Sequence, residues 1–182
     1  QNLKELGSRD FNAVKADAES RWNEVLGKIE VQSTDIDRLR VFYSNLYRAV
    51  LFPRSFYEYD RFGAAYHYSP YNGKVLSGYM FTDTGFWDTF RALFPLLNLV
   101  YPDVNLKMQE GLINAYLESG FFPEWASPGH RGCMVGNNSA SVLADAYLQG
   151  VKVKTPDLLW EGIVKTANSV HPTVSSTGRL GY

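Results

Sequence analysis

Stretches of helical period alternate along this chain with loops crowded by aromatic residues, glycine and proline, and that alternation limits the folds open to it. Residues 9–27 put Phe11, Val14, Ala18, Trp22 and Val25 at spacings of three and four, which predicts an amphipathic helix stopped by Gly27. Thr34 or Asp35 can cap a second helix over about 35–52, with Leu39, Phe42, Leu46 and Leu51 on its inner side and Pro53 just past its end. Residues 54–74 mix Tyr, Gly and Pro without a helical period and are expected to form a long loop. VLSGYMFT, residues 75–82, fits a short strand. A helix is expected from about Gly85 to Val100, interrupted or kinked at Pro95, and another from Pro102 or Asp103 to Ser119, stopped by Gly120. Asn137 or Asn138 can cap SASVLADAYLQG, and Thr155 with Pro156 opens TPDLLWEGIVKTANSV.

About six helices with little strand predict an all-α fold class. The helices come in pairs, with aromatic loops recurring between them, as in an α/α arrangement of inner and outer rings. The tail HPTVSSTGRLGY reads as loop with no terminal cap. Residues 1–182 are therefore expected to be one domain segment, a partial (α/α)6 toroid. A 45% apolar and 20% charged composition over 182 residues is that of an ordinary globular domain with a real core. A net charge of -1 offers nothing to nucleic acid or to an anionic membrane, and no apolar run approaches the ~20 residues of a membrane span. The single Cys133 cannot form an internal disulfide, and the opening QNLKELGSRDF has no signal-peptide pattern. Aromatic content is high, with 12 Tyr, 11 Phe and 4 Trp. Tyr and Trp present flat apolar faces with polar edges, which suit sugar rings, although a large aromatic core would give the same count.

WDTFR, residues 87–91, carries the sharpest chemistry. Asp88 and Arg91 stand one helical turn apart beside Trp87. A carboxylate that accepts, a guanidinium that donates and a ring that stacks can together hold vicinal hydroxyls. The same two charges can instead simply satisfy each other. FFPEWASPGHRGCMVGNN, residues 121–138, is the second candidate. Glu124 beside Trp125 in apolar surroundings could act as a general acid, and His130 and Arg131 could reach a ligand. Sequence fixes no second carboxylate for Glu124, which favours a purely structural loop. Asp145, within ADAY, suits a structural role inside its helix, and Asp83 suits a charge at a helix start. His67 and His171 have no partner at metal-ligand spacing, and no phosphate loop, nucleotide-binding glycine pattern or Gly-x-Ser-x-Gly elbow occurs.

LYRAVLFP (46–53), FWDTFRALFPLLNLVYP (86–102), GFFPEW (120–125) and GCMVGNNSASVLADAYLQGV (132–151) resemble the catalytic domain of glycoside hydrolase family 92, the bacterial exo-acting α-mannosidases. The order and spacing of all four blocks agree with that family. The resemblance covers nearly the whole chain, including WNEVLGKI near its start. It implies an (α/α)6 barrel and inverting, calcium-dependent hydrolysis of terminal α-mannosides, for example α-1,2-linked, by enzymes exported to the periplasm or cell surface. Calcium in that family grips the mannose O2 and O3 and helps distort the ring, in keeping with a hard cation's preference for oxygen ligands.

The resemblance also places the general acid in a later Glu-Gly-Asn-Ala-Trp-Gln block and the base in a later Gly-Asn-x-Asp-like block. The calcium ligands lie in that later half too. None of these falls in this chain, so no catalytic or metal-ligating residue is expected here. The chain is expected to be the first half of a barrel, inactive and poorly stable without the remainder of its polypeptide. Many relatives carry a Glu near Arg131 and a His near Asn138, and their absence bears on linkage. Within this frame Asp88 and Arg91 are assigned to hydroxyls of the terminal sugar of a mannose-containing glycan, with Trp87, Trp125 and Met134 lining the same pocket. Glu124, His130 and Asn138 are further candidates. Another (α/α)6 hydrolase of trehalase or glucosidase type, or a non-catalytic sugar-binding or scaffold protein, are the alternatives.

Overall fold

The structure, a computed structural model, describes residues 6–178. The chain divides into two compact units, the first running to Val50 and the second starting at Leu51. In the first, α1 (Phe11–Leu26) starts where the Asp10 carboxylate accepts from Ala13 N at 2.8 Å, and Gly27 N closes it on Asn23 O. In α2 (Ile36–Ala49) the cap is Asp35, which takes Asp37 N and Arg38 N, both at 3.1 Å. The helix ends at Ala49, earlier than the expected 52, with the Val50 N–H returning to Leu46 O. Trp22 and Tyr47 meet with ring centroids 4.6 Å apart, and the Tyr43 hydroxyl ties Ile29 O and Val31 N to α2.

In the second unit the expected loop at 54–74 is replaced by strands. β1 (Arg54–Ser55) later pairs with β5 (Phe81–Thr82), while β2 (Glu58–Tyr59), β3 (Ala65–Tyr68) and β4 (Val75–Ser77) form an antiparallel meander. Two tight turns make it possible. Asp60 Oδ1 accepts from Phe62 N and Ala64 N around Gly63. Ser69 Oγ accepts from Tyr71 N and Asn72 N, before a left-handed Gly73 at φ 74°. Tyrosines that carry no helical period are good strand formers, which is why the sheet was hidden in an aromatic stretch. The His67 ring, buried in β3, lies 2.9 Å from Gly78 O through Nδ1 and 2.7 Å from Glu118 Oε1 through Nε2, and fastens this sheet to the longest helix.

β6 (Thr84–Gly85) leads into α3 (Phe86–Thr89), and α4 (Leu93–Val100), α5 (Pro102–Ser119), β7 (Trp125–Ala126), α6 (Asn138–Leu148) and α7 (Pro156–Asn168) complete the unit. The predicted kink at Pro95 is misplaced. The helix breaks between Thr89 and Leu93, and Pro95 falls in the first turn of α4, where a missing N–H costs no intrahelical bond. Gly120, at φ 81°, ends α5 as expected. Phe86, Phe94, Leu97, Leu112, Phe122, Val142 and Leu143 form the core between these helices. A polar ladder crosses it: Gln109 Nε2 donates to Asn105 Oδ1 (2.8 Å), Asn105 Nδ2 to Asn98 Oδ1 (2.6 Å), and Asn98 Nδ2 to Asp145 Oδ2 (2.8 Å). Asp145 thus ends a chain of amides joining α5, α4 and α6, the structural role its place in an apolar helix suggests. Helix makes up about half of the chain, accompanied by strands of two to four residues. The expected largely helical character with little strand holds, and the short strands pair in small sheets.

Candidate functional site

The two motifs singled out in the sequence meet in one strand pair. Gly85 stands opposite Trp125 and Thr84 opposite Ala126 in the β6–β7 ladder. Asp83 N donates to Ala126 O at 2.6 Å, and Phe86 N to Glu124 O at 3.1 Å. The chain reaches this pairing through Asp83 in a left-handed conformation (φ 61°), which an Asp tolerates better than most residues. The Asp83 carboxylate is held by an ion pair with Arg54 and by the Ser127 hydroxyl at 3.1 Å. Asp83 therefore locks a turn, where the sequence suggested a charge at a helix start.

Gly85 is what lets the motifs close on each other. A Cβ there would lie 2.6 Å from Asp88 Oδ2 and closer still to Cε3 and Cζ3 of Trp125. Both side chains therefore crowd one small patch above Gly85. Asp88 is exposed, and among the described residues no hydrogen bond or ion pair engages its carboxylate. Arg91 does not pair with it. The guanidinium lies 4.7 Å from the centroids of both Trp87 and Phe90, and Nη1 donates to Trp87 O at 3.2 Å. Held between two rings, Arg91 keeps its charge at the surface in a fixed place. Trp87 itself is 44% exposed. The mutual salt bridge that the sequence left open as the alternative for Asp88 and Arg91 is absent, and what remains is an unengaged carboxylate, a positioned cation and two indole rings.

The other candidates divide. Glu124 is 0% exposed, and its carboxylate accepts from Asn138 N (2.8 Å) and Ser139 Oγ (3.0 Å) at the start of α6. That is an anion at a helix N-terminus, not an acid facing a ligand. Asn138 is the first residue of α6 and turns its amide to Val135 O at 2.8 Å. Met134 lies partly exposed in the irregular loop before α6. His130 is drawn inward. Its ring sits 4.8 Å from those of Tyr71 and His171, and both ring nitrogens are buried without a hydrogen-bond partner. Burial first, and His171 second, pull its pKa down to about 4, so the ring is neutral at pH 7. His171, with a pKa also lowered by burial, accepts at Nδ1 from Thr173 N (3.2 Å) and Val174 N (3.1 Å). The sequence missed His67–Glu118 and Tyr71, because only the β meander brings them together.

The whole chain, residues 1–182, matches the glycosyl hydrolase family 92 catalytic domain. The chain belongs to that family. A family GH92 inverting mannosidase from Bacteroides thetaiotaomicron shares 48% identity, with a TM-score of 0.94 over 97% of this chain and 24% of its own. A GH92 α-mannosidase from the same organism, solved with mannoimidazole, shares 30% identity at a TM-score of 0.79, over 88% of this chain and 21% of its own. An uncharacterized secreted glycosidase from Arthroderma benhamiae is 26% identical over 176 residues, which are 94% of this chain and 18% of that protein. The family 92 chain thus spans about a quarter or less of the length of these relatives.

Proposed function

We propose that the patch around Gly85 is one wall of the mannose-binding site of an exo-acting, inverting α-mannosidase that removes terminal α-linked mannose, such as α-1,2-linked mannose, from glycans. The observation that carries this reading is the exposed, unengaged Asp88 carboxylate beside the Trp125 ring, with Arg91 fixed nearby between Trp87 and Phe90. Asp88 accepts from two vicinal hydroxyls of the terminal sugar, Arg91 donates to a ring or hydroxyl oxygen, and the indole rings cover the apolar C–H face. Met134 extends the same wall. Inversion needs an acid and a base ~6.5–9.5 Å apart on opposite faces of the sugar. The remainder of the polypeptide supplies that pair and completes the (α/α)6 toroid. This chain's residues orient the ring between them, and the secreted relative supports an exported enzyme.

Among the described residues no group of three or more His, Cys, Asp or Glu side chains comes together to hold a metal ion. None of the binding steps above is routed through calcium. Calcium dependence belongs to the remainder of the enzyme, and loss of turnover on chelation with recovery on added calcium checks it. The binding role is tested by Asp88→Ala in the complete enzyme with an aryl α-mannoside. Losing charge-assisted hydrogen bonds lowers kcat/KM by about 10–100-fold. Turnover equal to the parent enzyme's would sink the assignment.

A further inference from the structure

We infer that Glu124 is a positioning residue that sets the sugar-binding wall by holding three separated segments in one place. This rests on the mannose-binding reading above. The main-chain carbonyl of Glu124 accepts from Phe86 N, the first N–H of α3, at 3.1 Å. Its carboxylate accepts from Asn138 N and Ser139 Oγ at the first turn of α6. The next residue is Trp125, paired to Gly85. One buried residue therefore fixes the helix carrying Asp88, the ring that lies beside Asp88, and the helix that follows the Met134 loop.

No substitute is at hand for the carboxylate. Asn137, at the N-cap of α6, makes no side-chain cap bond, and its Oδ1 is itself buried without a partner. The donors it serves are buried with it, since Ser139 is 0% exposed. A carboxylate accepts at both oxygens, whereas a glutamine amide accepts at one and presents N–H to the other donor. Glu124→Gln therefore keeps shape but loses the charge, and it serves both partners only if Nε2 donates to Ser139 Oγ and that hydroxyl turns from donor to acceptor. A helix cap with no further role would loosen α6 alone. A positioning residue also shifts the Glu124 carbonyl and Trp125, and with them the start of α3.

The experiment uses the complete enzyme with Glu124→Gln, Ser139→Ala and Asp88→Ala. Hydrogen exchange is followed over residues 84–91 and 136–142, and mannose affinity is measured by calorimetry. Glu124→Gln is expected to speed exchange in both segments and to weaken mannose binding, each by about tenfold, as for loss of a buried charged hydrogen bond. Ser139→Ala, which removes one bond and no charge, moves both readouts the same way by less, and it stands in if the glutamine variant does not fold. Faster exchange confined to 136–142 with unchanged mannose affinity overturns the inference, as does no change in either. Parent-like mannose binding in Asp88→Ala counts against the mannose-binding reading alone. The exchange data then decide whether Glu124 still ties the two segments.

Discussion

Gly85→Ala puts the proposed wall to a quantitative test. The added Cβ would lie 2.6 Å from Asp88 Oδ2 and nearer still to the Trp125 ring. Ordinary contact begins near 3.5 Å, so the carboxylate and the ring must each retreat by roughly an ångström. The strands cannot take up the change easily, because the Asp83 N–Ala126 O and Phe86 N–Glu124 O bonds pin the chain on either side of the position. Over-packing of this kind costs about 1–3 kcal/mol of stability. A displacement of about 1 Å in a positioning group costs on the order of 100-fold in rate. Gly162→Ala, on α7, is the matched control, since its Cβ would meet the Phe122 ring at 2.6 Å. Both variants of the complete enzyme should lose similar amounts of stability in urea unfolding. Only Gly85→Ala should lose about 100-fold in kcat/KM on an aryl α-mannoside per folded molecule. Equal activity losses in the two, or a Gly85→Ala enzyme within threefold of the parent, would refute the placement of the wall.

Asp145→Ala leaves the Asn98 amide without its carboxylate at the end of the buried ladder, so stability in urea should fall by about 1–3 kcal/mol with mannose affinity unchanged. His130 carries a pH signature. Its folded pKa, about 4, lies below its ordinary 6.5, so the unfolded chain binds more protons between those values. Stability is full above pH 6.5 and falls as pH drops toward 4, by up to about 3 kcal/mol, and His130→Asn should remove this part of the dependence in pH-resolved unfolding curves. Arg91→Lys keeps the charge but not the flat guanidinium held between Trp87 and Phe90, so mannose affinity should fall about tenfold in calorimetry while thermal stability stays nearly level.

Helix placement was readable because helical signals are local. The Asp35 cap, the Pro102 start and the Gly120 stop each act within a turn of the residue that carries them. Asp88 and Arg91 as unpaired neighbours were only half readable: their spacing showed a shared helix, while the stacking of Arg91 on Phe90 and Trp87 was an outcome of packing. The β meander was lost because strand pairing depends on partners six to eleven residues away and on turns built by Asp60 and Ser69 side chains.

Glu124 shows the same limit at the site itself. An acid beside a tryptophan in an apolar loop reads equally as a catalyst or as a cap, because the sequence does not say what its oxygens face. The deciding partners are Asn138 N and Ser139 Oγ, on a helix start that follows a loop of its own. Once those donors are in place, the carboxylate's two oxygens are both engaged and its burial is complete, so its chemistry is mechanical: it holds. Asp88 is the converse, with no described partner and open to solvent. In the proposed reading, burying one carboxylate to fix the wall and leaving the neighbouring one open to solvent on it separates support from recognition. Substitutions at the two positions should therefore fail differently, Asp88 through lost contacts to sugar and Glu124 through loosened segments on either side of it.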